Sequence, residues 1–370
     1  MKHLVNASNL HAGGGVQVGA SVISEIAARD DVEVPLTVLV STTVERNLET
    51  KFSKAASHLR PETMDVRGFD AWNRAARRRM DGFDSVLTIF GPLYRWSPPF
   101  RSIVGFAQPW IIYPQNECYD RLSVVQRLKT RLKFWIQAQF FGRADVLVVE
   151  LDHVKEGLVR ELGIPPERIH VVRNCLSSLY LNEALWQAVD MPQADCDLRL
   201  GFVGRNHMHK NTGVFPEIAS ALEARHGLHA RFYVTFTEEE WRACSAEFRK
   251  VCINVGPLTV AQCPSFYRAL DGVVFPSLLE CFSATPLEAM AMETPLFASD
   301  RPFNVDVCGS HAHHFDPLAP ETAADRIAGV LGRGRRLDPR TLRAAREHAV
   351  SFSSPAERAN RYLELLIGKT

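Results

Sequence analysis

The stretch Glu280-Cys281-Phe282-Ser283-Ala284-Thr285-Pro286-Leu287-Glu288 holds two glutamates eight positions apart, across a turn that opens a helix. Apolar runs flank it at 272–277 and 294–299, and both are typical of buried strands. Two acids at the carboxyl end of a parallel strand lie where open α/β sheets bind ligands. Because ionised carboxylates only accept hydrogen bonds, this pair predicts a ligand rich in hydroxyl groups, which indicates a sugar.

A second motif lies upstream, where an apolar run at 198–203 predicts a strand and a helical pattern begins near Thr212. Arg205 and Lys210 stand between the two, at the end of the strand and the start of the helix. The amino end of a helix attracts anions, arginine adds bidentate contacts and lysine adds a compact charge. The motif predicts a clamp for a diphosphate, although two solvated surface cations would produce the same pattern.

The chain begins with a strand candidate at 3–7, a glycine run at 13–15 and an apolar helical pattern. Gly14 and Gly15 either let backbone N–H groups approach a ligand or form a tight turn without one. The run lacks the G-x-G-x-x-G spacing, and the next predicted strand, 34–41, ends without an acid. A nicotinamide-dependent dehydrogenase is therefore disfavoured.

The stretch that begins at Glu280 resembles the E-x7-E motif of retaining glycosyltransferases with the GT-B fold, in the large family 4 of group 1 enzymes. Glu280, Phe282 and the run 286–291 match the motif, whereas Cys281 and Ser283 replace its usual glycines. The resemblance covers nearly the whole chain and is better in the carboxyl half. It implies an α/β protein of two Rossmann-like domains that face each other across a cleft.

The same resemblance implies a function. It predicts a retaining hexosyltransferase that moves a sugar from a GDP- or UDP-sugar to a glycan or lipid-linked saccharide, in bacterial surface polysaccharide synthesis. It implies no metal and no cofactor besides the nucleotide-sugar substrate. Two alternatives stay open, a catalytically inactive nucleotide-sugar-binding scaffold and a nucleotide-sugar epimerase with the GT-B fold.

Resemblance also suggests the roles of individual residues. Glu280 would contact the donor sugar, and Arg205 and Lys210 would bind its diphosphate during catalysis. The remaining donor-binding residues, beside Gly14 and Gly15, are Gly256, Pro257, Leu258, Phe282, Ser283, Ala284, Thr285 and Glu288. Residues 256–258 are expected to contact the base, and residues 282–284 the sugar oxygens. Thr285 is expected to face the diphosphate, and Glu288 the ribose.

On the acceptor side, Gln108 stands where many members of the family have a histidine. Glutamine can orient a hydroxyl group but cannot act as a general base, so the leaving phosphate is the alternative proton acceptor. Nearby Trp110 would either stack on a sugar ring or belong to a buried core.

The alternation of short apolar runs with amphipathic stretches predicts α/β domains. Residues 1–180 are predicted to form one domain and 198–350 a second, and the family resemblance implies that the first is the acceptor side and the second binds the nucleotide sugar. A polar stretch at 181–197 is predicted to be the linker. The family resemblance implies that the final helix, within 351–370, packs back on the first domain.

Composition limits the partners and the location. The 370-residue chain has a formal net charge of +1, which argues against a nucleic acid partner. It has no apolar run long enough to span a bilayer and no signal-peptide core at its start, and its eight cysteines are scattered. A reducing, cytoplasmic location is expected. Basic and apolar residues alternate over 121–143, so this helix either contacts anionic lipid on the inner face of the cell membrane or simply covers a sheet.

Overall fold

A computed structural model describes residues 1–29, 34–49, 59, 61–68, 74–334 and 337–368. The chain divides into two compact units. The first consists of Met1–Pro114, Leu122–Asn174 and the residues from Ser353 onward, and the second consists of Gln115–Arg121 and Cys175–Phe352. Each unit is a parallel sheet with helices, so the predicted α/β class and the two Rossmann-like domains are confirmed.

The described part of the first unit contains a seven-stranded parallel sheet. Its strands are β1 (His3–Ala7), β2 (Leu36–Val40), β3 (Pro61–Thr63), β4 (Ser85–Thr88), β5 (Arg101–Gly105), β6 (Val146–Val149) and β7 (Ile169–Val171). They lie in the order β3-β2-β1-β4-β5-β6-β7. The strand order reverses between β1 and β4, which is the switch point where such sheets open a crevice.

The second unit repeats this plan with six described strands. They are β8 (Leu198–Phe202), β9 (Ala230–Val234), β10 (Cys252–Asn254), β11 (Gly272–Phe275), β12 (Leu296–Ser299) and β13 (His313–Phe315). Their order is β10-β9-β8-β11-β12-β13, so the switch point lies between β8 and β11. The loops that follow these two strands carry Arg205, Lys210 and Glu280.

Helices cover the sheets. In chain order they are α1 (Gly14–Ala27), α2 (Thr42–Glu49), α3 (Arg74–Met80), α4 (Pro109–Ile112), α5 (Val124–Phe141), α6 (Asp152–Leu162), α7 (Phe215–His226), α8 (Glu238–Arg242), α9 (Ala246–Val251), α10 (Cys263–Arg268), α11 (Thr285–Ala291), α12 (Pro302–Cys308), α13 (Pro320–Leu331), α14 (Pro339–Ser351) and α15 (Pro355–Ile367). None of these described helices is both long and apolar enough to cross a membrane.

The boundary between the units differs from the expected one. Residues 1–180 were predicted to form the first domain and 181–197 a linker, but the second unit includes Gln115–Arg121 and the whole of 175–197. Tyr180 is fully buried and lies 6.4 Å from the Tyr267 ring, and the Arg268 guanidinium lies 5.2 Å from the Trp186 ring. These aromatic contacts hold the segment on the second unit, which its polar composition did not predict.

The carboxyl-terminal helix α15 belongs to the first unit and packs on α1. Arg358 of α15 is buried and donates hydrogen bonds to the Ser21 hydroxyl, at 2.8 Å, and to the Asn174 side chain. Asn174 in turn donates to a carboxylate oxygen of Glu150 at 2.7 Å. A buried polar network therefore holds the end of the chain against the beginning.

Candidate functional site

The loop after β8 begins with a conformation that favours glycine. Gly204 has a φ of 146°, and its N–H donates to the Thr235 hydroxyl at 3.1 Å, after β9. A residue with a side chain would be strained at this φ. The loop therefore turns away from the sheet at Gly204 and presents Arg205 at its carboxyl edge.

Arg205 pairs with Glu240 of α8. Its Nε donates to Glu240 Oε1 at 2.8 Å, and the N–H of Asn206 donates to the same oxygen at 3.0 Å. The other carboxylate oxygen accepts from the N–H and the hydroxyl of Thr237, which completes the amino-terminal cap of α8. Partial burial would raise the pKa of Glu240, but these hydrogen bonds outweigh it and lower the pKa to about 2. Glu240 is therefore ionised at neutral pH and holds Arg205.

Lys210 and Glu280 form the second ion pair. Lys210 Nζ lies 2.5 Å from Glu280 Oε1, and the side chains are only 15% and 11% exposed. At this separation and burial, the ammonium and the carboxylate attract each other strongly. The Lys210 ammonium also lies 5.1 Å from the centre of the Phe275 ring, at the end of β11. The two motifs that the sequence singled out are thus in direct contact.

His209 lies beside this pair, with Nε2 4.0 Å from Glu280 Oε1. Burial is the main reason that its pKa is lowered, to about 4, although the Glu280 carboxylate opposes the shift. His209 is therefore neutral near pH 7 and leaves Lys210 as the cation that balances Glu280.

The Lys210 loop is fixed by a segment from the amino-terminal half of the chain. Asn211 adopts the left-handed conformation, with a φ of 56°, immediately after Lys210. Its side-chain oxygen accepts from Arg121 Nη2 at 2.6 Å, and its amide donates to the carbonyl of Pro317 at 3.0 Å. These contacts offset the strain of the left-handed residue and position Lys210.

Glu288 lies on α11, one turn from the helix start, and a carboxylate oxygen accepts from the Tyr267 hydroxyl at 2.8 Å. Burial raises the pKa of Glu288, and the hydrogen bond from Tyr267 opposes that shift. Tyr267, a residue of α10, therefore holds the Glu288 carboxylate, which is predicted to contact the ribose, in a fixed orientation.

The loop between the two glutamates accommodates Cys281 and Ser283 without strain. Within the described residues, Asn211 and Glu293 are the non-glycine positions with positive φ, so neither Cys281 nor Ser283 needs the conformation of glycine. Phe282, Ser283 and Ala284 are half-buried, and α11 begins at Thr285, between the two glutamates. The Thr285 hydroxyl lies 3.4 Å from the carbonyl of Val203, which links α11 to the end of β8.

The predicted base-binding loop, Gly256, Pro257 and Leu258, follows the edge strand β10 at the same carboxyl edge of the sheet. Gly256 has a φ of 85°, and its N–H donates to the Asn254 side chain at 3.2 Å. Pro257 is exposed, and Leu258 is half-buried. The loop is therefore open to a ligand at this edge.

The first unit carries the other predicted residues. Gly13, rather than Gly14 or Gly15, has a positive φ, 73°, and precedes α1. A Cβ on Gly14 would meet nothing within 4 Å, and one on Gly15 would lie 3.4 Å from the Phe90 ring. The structure thus shows open space at Gly14 and no conformational need for glycine at either position.

Gln108 precedes α4 and lines a cavity of about 310 Å³ in the first unit. Trp110 does not line it. The Trp110 ring instead stacks on Phe134 of α5, with ring centres 5.6 Å apart and planes within 7°. Of the two readings of Trp110, the structure therefore favours packing between helices.

Sequence reasoning missed the residues that hold this site. Glu240 and Tyr267 belong to no motif, His209 lies between Arg205 and Lys210 without a predicted role, and Arg121 begins the basic stretch 121–143; no sequence signal assigned any of the four to this site. Glu240 alone had a local sequence signal, because Thr237-Glu238-Glu239-Glu240 has the spacing of a capping box. Among the residues that the structure describes, no group of three or more His, Cys, Asp or Glu side chains could hold a metal ion.

Comparison with known proteins places this site in context. Residues 197–333 match the family model described as "Glycosyl transferases group 1". This range includes Arg205, Lys210, Glu280 and Glu288, and the match supports a glycosyltransferase, as the sequence predicts. No curated protein matches the chain in sequence.

Solved structures share the fold of the whole chain at low sequence identity. A glycosyltransferase from Rickettsia africae is 15% identical with a TM-score of 0.69, covering 99% of this chain and 98% of its own. Sucrose-phosphate synthase from Thermosynechococcus elongatus is 15% identical with a TM-score of 0.68, over 100% of both chains. Anabaena HepE, solved with UDP and glucose, is 13% identical with a TM-score of 0.68, covering 100% of this chain and 99% of its own. These likenesses show the fold, which is the predicted GT-B fold.

Proposed function

We propose that the chain is a retaining glycosyltransferase that moves a hexose-type sugar from a GDP- or UDP-sugar to a glycan or lipid-linked saccharide. One observation carries the proposal: Arg205, Lys210, Glu280 and Glu288 lie at the carboxyl edge around the β8–β11 switch point, inside the segment that matches the family model. Two cations and two carboxylates at this place suit a ligand with a diphosphate at one end and hydroxyl groups at the other.

The two ion pairs suggest how the donor binds. Arg205 is paired with Glu240 and Lys210 with Glu280, so a donor diphosphate has to compete with a carboxylate for each cation. A diphosphate carries more charge than either carboxylate, and it would draw Lys210 towards itself. Glu280 would then exchange the ammonium for the hydroxyl groups of the donor sugar.

In the proposed reaction, the acceptor oxygen bonds to the anomeric carbon as the bond from that carbon to the phosphate oxygen breaks. The proton of the acceptor hydroxyl passes to the leaving phosphate. Lys210 and Arg205 stabilise the charge that grows on the diphosphate, and the step needs no metal or other cofactor. Retention follows from attack on the face that the phosphate leaves.

The test combines thermal unfolding with a transfer assay. Full-length protein is heated with UDP-, GDP-, ADP- and dTDP-sugars, and we expect one base to raise the midpoint. Lys210→Ala should abolish that rise, and Arg242→Ala is the matched control, because its ion pair with Glu238 is exposed on the same unit. The nucleotide-sugar so identified is then incubated with the protein and candidate acceptors. The Glu280→Gln variant of the protein should lose transfer.

Each outcome separates this proposal from its alternatives. A nucleotide that binds without any transfer would favour an inactive scaffold. Conversion of the nucleotide-sugar to an isomer without an acceptor would favour an epimerase. No midpoint shift with any nucleotide would contradict the donor site itself.

We also propose a cytoplasmic enzyme that contacts the inner face of the cell membrane through α5, consistent with a role in bacterial surface polysaccharide synthesis. The amino-terminal part of α5 does not simply cover the sheet. Its large apolar side chains are from 40% (Ile136) to 75% (Val124) exposed. The others in this set are Val125, Leu128, Leu132 and Trp135. An apolar surface of this kind commonly marks an interaction site.

Charge selects an anionic lipid surface as the partner. Residues 122–144 contain no Asp or Glu and include Arg127, Lys129, Arg131, Lys133 and Arg143. Each such cation near an anionic membrane contributes about 1 kcal/mol, and the apolar side chains add burial in the lipid interface. Vesicles containing phosphatidylserine should therefore sediment the protein at low salt, and neutral vesicles should not.

A paired variant makes this test specific. Leu128→Ser/Leu132→Ser should abolish sedimentation, whereas Arg242→Ser, in the second unit, should not change it. If the protein instead forms dimers that the same double variant dissociates, α5 is an interface between copies and the membrane proposal is wrong.

A further inference from the structure

A short turn from the amino-terminal half of the chain is attached beside the candidate donor site. It consists of Gln115–Arg121 and belongs to the second unit, whereas the residues on either side of it belong to the first. Residues Glu117–Arg121 form a short 3-10 helix, and the N–H of Cys118 donates to the Asn116 side chain at 3.1 Å. The turn therefore has a regular backbone of its own, and its two ends are held at a fixed separation.

One end of the turn is anchored to the loop that carries Lys210. Arg121 donates from Nη2 to the Asn211 side-chain oxygen at 2.6 Å and from Nη1 to the Met208 carbonyl at 3.4 Å. Its guanidinium group therefore joins positions on both sides of Lys210. Asn211 is buried and left-handed, with a φ of 56°. Because a buried amide oxygen without a partner is costly, Asn211 depends on Arg121 for the conformation that directly follows Lys210.

The other end of the turn is anchored to the loop after β12. Glu117 Oε1 accepts from Arg301 Nη2 at 2.5 Å, and both side chains are partly buried. In the sheet, β11 lies between β8 and β12. The two anchors therefore stand on either side of the loop after β11, which carries Glu280. It follows that the turn spans the loop of Glu280 from one neighbouring loop to the other.

The middle of the turn lies near Glu280. Cys118, between the two anchors, is fully buried. Burial raises the pKa of its thiol to about 11, and the charge of Glu280 contributes to the rise. The thiol is therefore within electrostatic reach of the Glu280 carboxylate, as expected for a turn that spans its loop.

We propose that residues 115–121 are a positioning element of the donor site, which holds Lys210 and Glu280 at the spacing that a nucleotide-sugar requires; this inference rests on the proposed transferase activity. Arg121 and Glu117 do not touch the donor in this role, because each acts through the loop that it holds. Charged groups that are positioned in advance lower the cost of binding, and they stabilise charge that grows on the leaving diphosphate without first having to move.

A double-mutant cycle on the full-length protein tests the positioning of Lys210 without any ligand. Arg121→Gln is expected to fold, since Arg121 is itself exposed. Lys210→Met should lower the unfolding midpoint less than half as much in the Arg121→Gln protein as in the unaltered protein, because the pair with Glu280 is then already loosened. If the two shifts add, Arg121 does not position Lys210 and the proposal is wrong.

The control cycle replaces Arg121→Gln by Arg225→Gln. Arg225 is an exposed arginine that also donates to a side-chain oxygen, that of Asp325 at 2.7 Å. It lies at the end of α7, which leads to the start of β9 and thus to the opposite edge of the sheet. In this cycle the shifts of Arg225→Gln and Lys210→Met should add.

Calorimetric titration with UDP and GDP tests the effect on the donor site. Arg121→Gln should weaken binding of the preferred diphosphate about tenfold, whereas Arg225→Gln should not change it. Arg121→Lys keeps a cation that can reach one of the two acceptors and should recover part of the affinity. A merely structural role would lower the unfolding midpoint and leave the affinity of the folded protein unchanged, and that result would overturn the proposal.

Glu117→Gln tests the second anchor. The change keeps the shape of the side chain and removes the charge that pairs with Arg301. Because this anchor stands beside the loop of Glu280, which is proposed to contact the sugar, kcat for transfer should fall several-fold while the affinity for the nucleoside diphosphate is kept. An unchanged kcat would show that the turn does not act through both of its ends, and the two-anchor element would be wrong.

These experiments separate the inference from the proposed function. If nucleotides bind and transfer occurs but neither Arg121→Gln nor Glu117→Gln changes affinity or kcat, the transferase stands and the positioning element is wrong. If no nucleotide binds the unaltered protein, the proposed function is wrong, and the role of the turn at a donor site is wrong with it. The ligand-independent cycle then still shows whether Arg121 positions Lys210.

Discussion

Replacing Lys210 with methionine tests whether the pair with Glu280 is a stabilising part of the second unit. The change keeps most of the apolar stem of Lys210 but removes the ammonium that lies 2.5 Å from Glu280 Oε1. The Glu280 side chain is only 11% exposed, so its charge would lose its partner in a poorly solvated place. Breaking one side of such a buried pair costs about 3–5 kcal/mol. For a unit of this size, the unfolding midpoint should fall by about 6–20 °C.

The assay is thermal unfolding without ligands, followed by circular dichroism, with two comparison variants. Arg242→Met removes an ion pair whose side chains are 76% and 65% exposed, and it should cost at most about 1 kcal/mol. Lys210→Met/Glu280→Leu removes both charges and should recover most of the loss. If Lys210→Met shifts the midpoint no more than Arg242→Met does, water reaches the pair and the electrostatic reasoning fails.

Three further changes follow from the structure. Burial raises the pKa of Glu150 to about 7 from an ordinary 4.5. Between these two pH values the folded protein therefore keeps a proton that the unfolded chain releases. The stability of the fold falls as the pH rises from about 4.5 to about 7. Glu150→Gln should thus gain up to about 3 kcal/mol above pH 7 and little near pH 4.5, as urea unfolding at both pH values would reveal. Tyr267→Phe removes the donor to Glu288 and should cost about 1–3 kcal/mol in thermal unfolding; an unchanged midpoint would contradict that hydrogen bond. Gly105→Ala would place a Cβ 1.8 Å from a carbonyl oxygen and should cost about 3 kcal/mol or more, whereas Gly213→Ala, with nothing within 4 Å, should fold normally.

The charges around the donor site have a consequence for binding. Each cation that we propose binds phosphate is paired with an acid. Arg205 pairs with Glu240, and Lys210 pairs with Glu280. In the proposed function a donor would compete with these acids, and its affinity would reflect the difference between two sets of ion pairs rather than one set alone. The arrangement also favours a ligand that can satisfy Glu280 after Lys210 leaves it. A free diphosphate cannot do this, whereas a diphosphate sugar offers hydroxyl donors.

Much of the fold could be predicted because the central strands are apolar throughout. Runs such as 146–149 and 272–275 are buried on both faces of a parallel sheet, so their composition alone identifies them. The short edge strands β3, β10 and β13 contain Pro-Glu-Thr, Cys-Ile-Asn and His-His-Phe, and no such signal exists there. Edge strands are covered on fewer sides, and polar residues are tolerated in them.

The sequence alone determined the α/β class, the order of strand, loop and helix, and the four charged residues of the candidate donor site. Those properties follow from local composition and from spacing along one loop or one helix turn. Only the tertiary structure decided that Lys210 contacts Glu280, that Glu240 holds Arg205 and that Tyr267 holds Glu288. It also decided that residues 175–197 belong to the second unit. The sequence also did not show that the apolar face of α5 is exposed, because the same residue pattern suits a helix that covers a sheet. Contacts between segments far apart in the chain arise from the packing of the sheets, and no local pattern records them.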